Sequence, residues 1–176
     1  MGKNVYLIDA NTFLTPSKFY YRFSIAPGYW EQFNLFAKKG YIKTIDKIEK
    51  ELRTWDKENL KDDIQLWYEN NFKGEILSTK KQHIVDEYVN VIRFLNESKK
   101  YNEKAFLEWA SREDVADPWL IATAKVSGYI VVTLENRIHY NNGTPMGSAK
   151  IPNVCEDLSV DYIDLFTMME QLGISL

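Results

Sequence analysis

The chain has 176 residues, 45% hydrophobic and 14% aromatic, with only 8 Gly and 5 Pro; this is enough apolar surface for one folded core and the wrong composition for a disordered or collagen-like polymer. Its 22 Lys and Arg against 25 Asp and Glu give a formal net charge of -3, which excludes a polybasic nucleic-acid binder and leaves any contact with a polyanion to local basic patches or metal ions. A single cysteine, Cys155, permits no internal disulfide, and with only His83 and His139 beside it the usual zinc cages are excluded.

In chain order, Val5-Tyr6-Leu7-Ile8 reads as a buried strand that runs into a turn at Asp9-Ala10-Asn11-Thr12, because Asp and Asn side chains bond nearby amides. An aromatic-dense loop follows over 19–30, and then a helix on which Tyr29, Trp30, Phe33 and Phe36 recur, stopped at Gly40. Residues 41–44 form a second strand. Ile45, Ile48, Leu52 and Trp55 then share one helix face, with Glu49 and Glu51 flanking it on opposite sides. Further helices run through Leu60, Ile64 and Trp67 to near Gly74, and over 82–97 with Val85, Tyr88, Val89, Ile92 and Leu95 on one face.

Asp117-Pro118 starts an apolar helix over 119–127, Gly128 stops it, and the β-branched strand 129–133 follows at once. Residues 136–149 form a loop, 151–154 a last short strand, and 160–172 a closing helix stopped at Gly173. Apolar, non-alternating strands separated by helices predict an α/β fold: three-layer α/β/α, with a central parallel sheet, over 1–176 as one domain. The N-terminus carries no signal-peptide core and no span approaches about 18 apolar residues. The expectation is a cytoplasmic protein without a membrane partner.

Parallel sheets place their sites at the carboxyl ends of the strands, where Asp9 and Glu135 stand; Glu51 borders a helix face and Asp117 opens a helix. Converging carboxylates supply the oxygen donors that a hard divalent ion needs, and such an ion bridges them to substrate phosphates. Each acid also has an ordinary use: Asp9 and Asn11 in a turn, Glu51 as a solvated flank, Asp117 as a helix cap, Glu135 in loop solvation. The rings of Phe19, Tyr20, Tyr21 and Phe23, with Arg22, could stack bases or cover the core, and packing is the expected use. Lysine pairs at 38–39, 80–81 and 99–100 read as solvated helix ends.

The runs Tyr6-Leu7-Ile8-Asp9-Ala10-Asn11-Thr12-Phe13, Ile48-Glu49-Lys50-Glu51-Leu52, Ala116-Asp117-Pro118-Trp119 and Ile130-Val131-Val132-Thr133-Leu134-Glu135, taken together, resemble the PIN-domain superfamily of metal-dependent nucleases. Segments 19–30 and 150–155 look like a PIN-like branch outside the general pattern. The resemblance implies an Mg²⁺- or Mn²⁺-dependent endoribonuclease, the toxin of a toxin-antitoxin pair, with RNA, an antitoxin protein and a second copy of the chain as partners. It implies Asp9, Glu51, Asp117 and Glu135 as catalytic residues, Asp9, Asp117 and Glu135 as metal ligands, and Asn11 and Thr133 beside them. Glu135 replaces the usual Asp, and its extra methylene carries the carboxylate about 1.5 Å outward, which suits a water-mediated contact.

Two rival readings remain. A haloacid-dehalogenase-type phosphatase also begins with a strand ending in a nucleophilic Asp, but it needs a second acid two residues later, where this chain has Asn11. The other is a non-catalytic PIN-like scaffold that binds RNA or protein.

Overall fold

A computed structural model describes residues 4–54, 63–141 and 143–175. Five strands, β1 (Tyr6–Ile8), β2 (Ile42–Ile45), β3 (Glu75–Leu77), β4 (Ile130–Val132) and β5 (Tyr162–Ile163), form one sheet in the order β3-β2-β1-β4-β5. Every pairing is parallel, so the expected α/β class with a central parallel sheet and flanking helices is correct. From β1 the chain steps outward through β2 to β3, then crosses back to β4 and outward to β5. Right-handed crossovers therefore put the first connections on one face and the later ones on the other.

Between the strands lie α1 (Ala10–Thr15), α2 (Pro27–Lys38), α3 (Asp46–Thr54), α4 (Asp63–Asn71), α5 (Gln82–Glu97), α6 (Glu103–Ala110), α7 (Ala116–Ser127), α8 (Ile151–Leu158) and α9 (Leu165–Leu172). The buried apolar residues form one continuous cluster. On the α1–α4 side Phe13 is the hub, with Phe33, Tyr68 and Phe72 set edge-on at 5.6, 5.7 and 5.6 Å between centroids, the geometry that ring quadrupoles favour. Elsewhere Tyr88 stacks on Trp119 at 3.8 Å, and α7 packs along α5 with residues 118–124 buried.

Several expected elements differ. Asp9 opens a helix instead of a simple turn: its side chain accepts from the Ala10 amide at 2.7 Å and caps α1. A π-helical turn, Pro16–Tyr20, continues α1. Neither β3 nor α6 is among the expected elements; β3 lies at a sheet edge with two of its three residues exposed and so lacks the buried apolar run that marks β1 and β4. Residues 151–154 are the start of α8, not a strand. Pro152 sits in its first turn, a favoured place for proline, and Ile151, Val154 and Cys155 lie on its buried face. The last strand is β5, inside the stretch expected as helix, and α9 begins only after Asp164, whose carboxylate accepts from the Thr167 amide at 2.7 Å. Trp55 and Leu60 lie outside the described residues. Among the described residues no helix is long and apolar enough to cross a membrane.

Candidate active site

The strand order reverses between β1 and β4, and a crevice opens at such a switch point beyond the carboxyl ends of the strands. Register aligns Ile8 with Val132, so the next residues, Asp9 and Thr133, emerge side by side although 124 positions separate them in sequence. The Asp9 amide donates to the Val132 carbonyl at 3.0 Å, and the Thr133 hydroxyl donates to Asp9 Oδ2 at 2.9 Å. Asp9 is only 4% exposed. Asn11 clamps the two strand ends: its Oδ1 accepts from the Leu134 amide at 2.9 Å and its Nδ2 donates to Thr133 Oγ1 at 3.4 Å. The Glu135 amide also donates to Thr133 Oγ1, at 3.1 Å.

Two helices bring the other acids in. Helix α3 leaves β2 directly and packs against α7, which carries Glu51 towards Asp117. Glu49, about 160° round the helix, faces away and pairs with Arg53 at 2.9 Å. Asp117 occupies the second position of α7; Val115 is the N-cap and no side chain caps the helix. The alternative use of Asp117 as a helix cap is therefore not the one it has: the helix begins at Ala116, two residues before Pro118, and the Asp117 carboxylate lines the crevice with Glu51.

Electrostatics tie the four acids together. Burial is the largest cause that raises the Asp9 carboxyl well above the usual range, followed by the charge of Asp117 and then, more weakly, by Glu135 and Glu51, while the Thr133 hydroxyl opposes the rise. Asp117 is pushed up to about 7 by burial, then by Glu135 and Glu51. Burial also raises Glu51. Asp9, Asp117 and Glu135 thus repel one another with Glu51 reaching in, and one cation answers: Lys150, just before α8, bonds Glu135 Oε1 at 2.8 Å and lowers the proton affinity of Asp117. The amide of Ile151, at the head of α8, donates to Glu135 Oε2 at 2.9 Å.

Clefts flank the acids on both sides. One, of about 530 Å³, holds Glu51 and Asp117 with Lys47, Lys50 and Arg112 at its rim. The other, of about 760 Å³, holds Asn11, Thr133, Glu135, Lys150 and Arg137. The rim is of mixed charge, since these cations are paired with acids: Lys47 with Glu113, Lys50 and Arg112 with Asp114, Arg137 with Glu156 and Lys150 with Glu135. Sequence reasoning missed these cations: it weighed lysine pairs, whereas the rim lysines stand singly, Lys47 and Lys50 being one helical turn apart on α3 beside Glu51. His83 and His139 are exposed and Cys155 is buried; none of the three lines either cleft.

The donor set is all oxygen, which fits a hard divalent ion. Among the described residues no three His, Cys, Asp or Glu side chains form a ready ligand group. An ion that keeps several waters needs only one or two carboxylates in direct contact, and the carboxylate of Asp117 makes no side-chain hydrogen bond among the described residues.

Fold and site define an α/β protein with a carboxylate cluster at the switch point of a parallel sheet. The chain belongs to the family described as Domain of unknown function (DUF4411), whose model matches residues 6–176. Among curated proteins nothing matches it.

Proposed function

We propose that the protein is a divalent-metal-dependent nuclease of PIN-like type that cleaves RNA phosphodiester bonds. The observation that carries this reading is the mutual repulsion of Asp9, Asp117, Glu135 and Glu51 at one crevice, an arrangement that costs stability unless a cation offsets it. Asp9 and Asp117 would hold Mg²⁺ or Mn²⁺, with Glu135 acting through water. The ion supplies a nucleophile at neutral pH and offsets the charge of the scissile phosphate. Thr133 fixes the Asp9 carboxylate by its hydrogen bond, Asn11 fixes Thr133, and Lys150 with the head of α8 fixes Glu135. Glu51, at the edge of the crevice with raised proton affinity, accepts a proton from the attacking water at its carboxylate. RNA as the polymer, an antitoxin and a second copy as partners, and a cytoplasmic location rest on the PIN resemblance and the sequence alone.

A second reading, a PIN-like scaffold that binds without cutting, draws on the Glu135–Lys150 pair, which already neutralises one acid. Purified protein incubated with single-stranded and structured RNA in Mn²⁺, beside Asp9→Asn and a chelator control, separates the two. The nuclease reading expects cleavage that both the substitution and the chelator abolish. Binding without cleavage by the wild type would overturn it in favour of the scaffold.

A further inference from the structure

The cleft on the Glu135 side ends in two aromatic rings. Tyr20, at the end of the π-helical turn, and Phe166, the second residue of α9, both line it with Thr133, Glu135 and Lys150. Their centroids lie 5.9 Å apart with planes at 65°. Tyr20 is 54% and Phe166 43% exposed. Of the chain neighbours, Phe19 is also exposed but lines a different cleft, beside Trp67, whereas Tyr21 packs on Tyr29 at 4.4 Å and Phe23 stacks on Trp30 at 4.5 Å. The aromatic segment thus splits, part of it covering the core as expected and part left at the mouth of the cleft. Leaving two large rings in water forgoes burial that they could have supplied. Their position is fixed from two sides, by the turn that continues α1 and by the Asp164 cap of α9.

We propose that Tyr20 and Phe166 form a stacking subsite for one unpaired base of a single-stranded polynucleotide, next to the phosphate that the carboxylates address. The inference rests on the nuclease reading for the position of that phosphate. Every base offers a flat π-face to a ring, so the contact is tolerant of sequence but closed to bases held in a duplex. Two cations of the same cleft, Arg137 and Lys150, each also paired with a glutamate (Glu156 and Glu135) at 2.8 Å, stand where the backbone phosphates on either side of the stacked base would pass, and the edge-to-face pair presents a ring face and a ring edge to it. A protein segment inserting an apolar side chain would want no such cations, and the cleft volume of about 760 Å³ is that of an ordinary small-ligand site.

The test is binding of a fluorescein-labelled eight-nucleotide RNA at low salt in EDTA, followed by anisotropy, with one abasic residue moved through each position in turn. The full chain is compared with Tyr20→Leu, Phe166→Leu, the double variant and Tyr20→Phe, each checked by thermal melting; both sites are exposed, so these variants should fold. One abasic position should weaken wild-type binding about tenfold. In the double variant the same lesion should cost less than twofold, while Tyr20→Phe keeps the wild-type penalty. An abasic penalty that persists undiminished in the double variant overturns the subsite, as does a wild type that binds no oligonucleotide or a penalty equal at all positions. Cleavage in Mn²⁺ without any base dependence removes the subsite and leaves the nuclease reading standing. A position-specific penalty without cleavage does the reverse.

Discussion

Asp117→Asn removes one charge from the cluster while keeping the side chain's size. Raising the Asp117 carboxyl from its ordinary 3.8 to about 7 corresponds, at 1.36 kcal/mol per pKa unit, to about 4 kcal/mol for a group cut off from water. Asp117 is half-buried, so screening brings this to about 2 kcal/mol. The sign follows from linkage. A carboxyl whose folded pKa is raised contributes stability that is fully present below its unfolded value and is lost as pH climbs towards 7. Metal-free wild type should therefore weaken from pH 4 to 8, whereas the Asn variant lacks this loss. At pH 8 the variant should melt about 4 to 8 °C higher, at roughly 2 to 4 °C per kcal/mol for a chain of this size, and the gap should close as pH falls. Saturating Mn²⁺ should reverse the order, since wild type gains about 2.7 kcal/mol at 100 times the dissociation constant and the variant little. A variant that melts at or below wild type at pH 8 with the same pH profile would refute the charge cluster.

Glu51→Gln should abolish RNA cleavage while Glu49→Gln, which only breaks the exposed pair with Arg53, leaves it within twofold; the opposite result in the same assay would mean the helix is turned the other way. Thr133→Val deletes the hydroxyl shared by Asp9, Asn11 and Glu135 and should cost about 1 to 3 kcal/mol by urea unfolding, with a fall in kcat larger than any rise in KM. Lys150→Met leaves Glu135 without its cation and should lower the metal-free melting temperature, with Mn²⁺ restoring most of the loss; an unchanged melt would show that the pair is ornamental.

The long, one-sided helices were readable because their burial repeats: Gln82–Glu97 agrees to the residue, and the glycines at 128 and 173 stop helices with φ of +65° and +70°, a conformation that side chains resist. The short strands β1 and β4 were readable because they are runs of buried apolar residues, whereas β3 has two of its three residues exposed and β5 is only half-buried, which hid β3 and misplaced the last strand. The acids were legible one by one from their neighbours, Asp9 after a run of buried apolar residues and Asp117 before a proline. Their meeting was not, because it depends on β1 pairing with β4 and α3 packing on α7. Lys150 escaped notice for the same reason: it stands fifteen positions after Glu135 in sequence, across a loop, and only the fold of that loop closes the pair.

The pairing of β1 with β4 has a consequence for how the chain is made. Synthesis delivers Asp9 first, but its partner hydroxyl on Thr133 comes 124 residues later and the cation on Lys150 later still. Before then the nascent polypeptide holds an incomplete centre: Asp9, Glu51 and Asp117 are present, but the pairing of β1 with β4 that completes the crevice, the Thr133 hydroxyl and Lys150 are not. Contacts of such long range form late, because loop closure must precede them. Translation must therefore pass residue 150 before the carboxylates, the hydroxyl and the cation can meet, and under the proposed reading the crossover that defines the sheet also delays any metal-dependent chemistry. Chains stopped short of β4 should accordingly show no Mn²⁺-dependent change in melting or proteolysis.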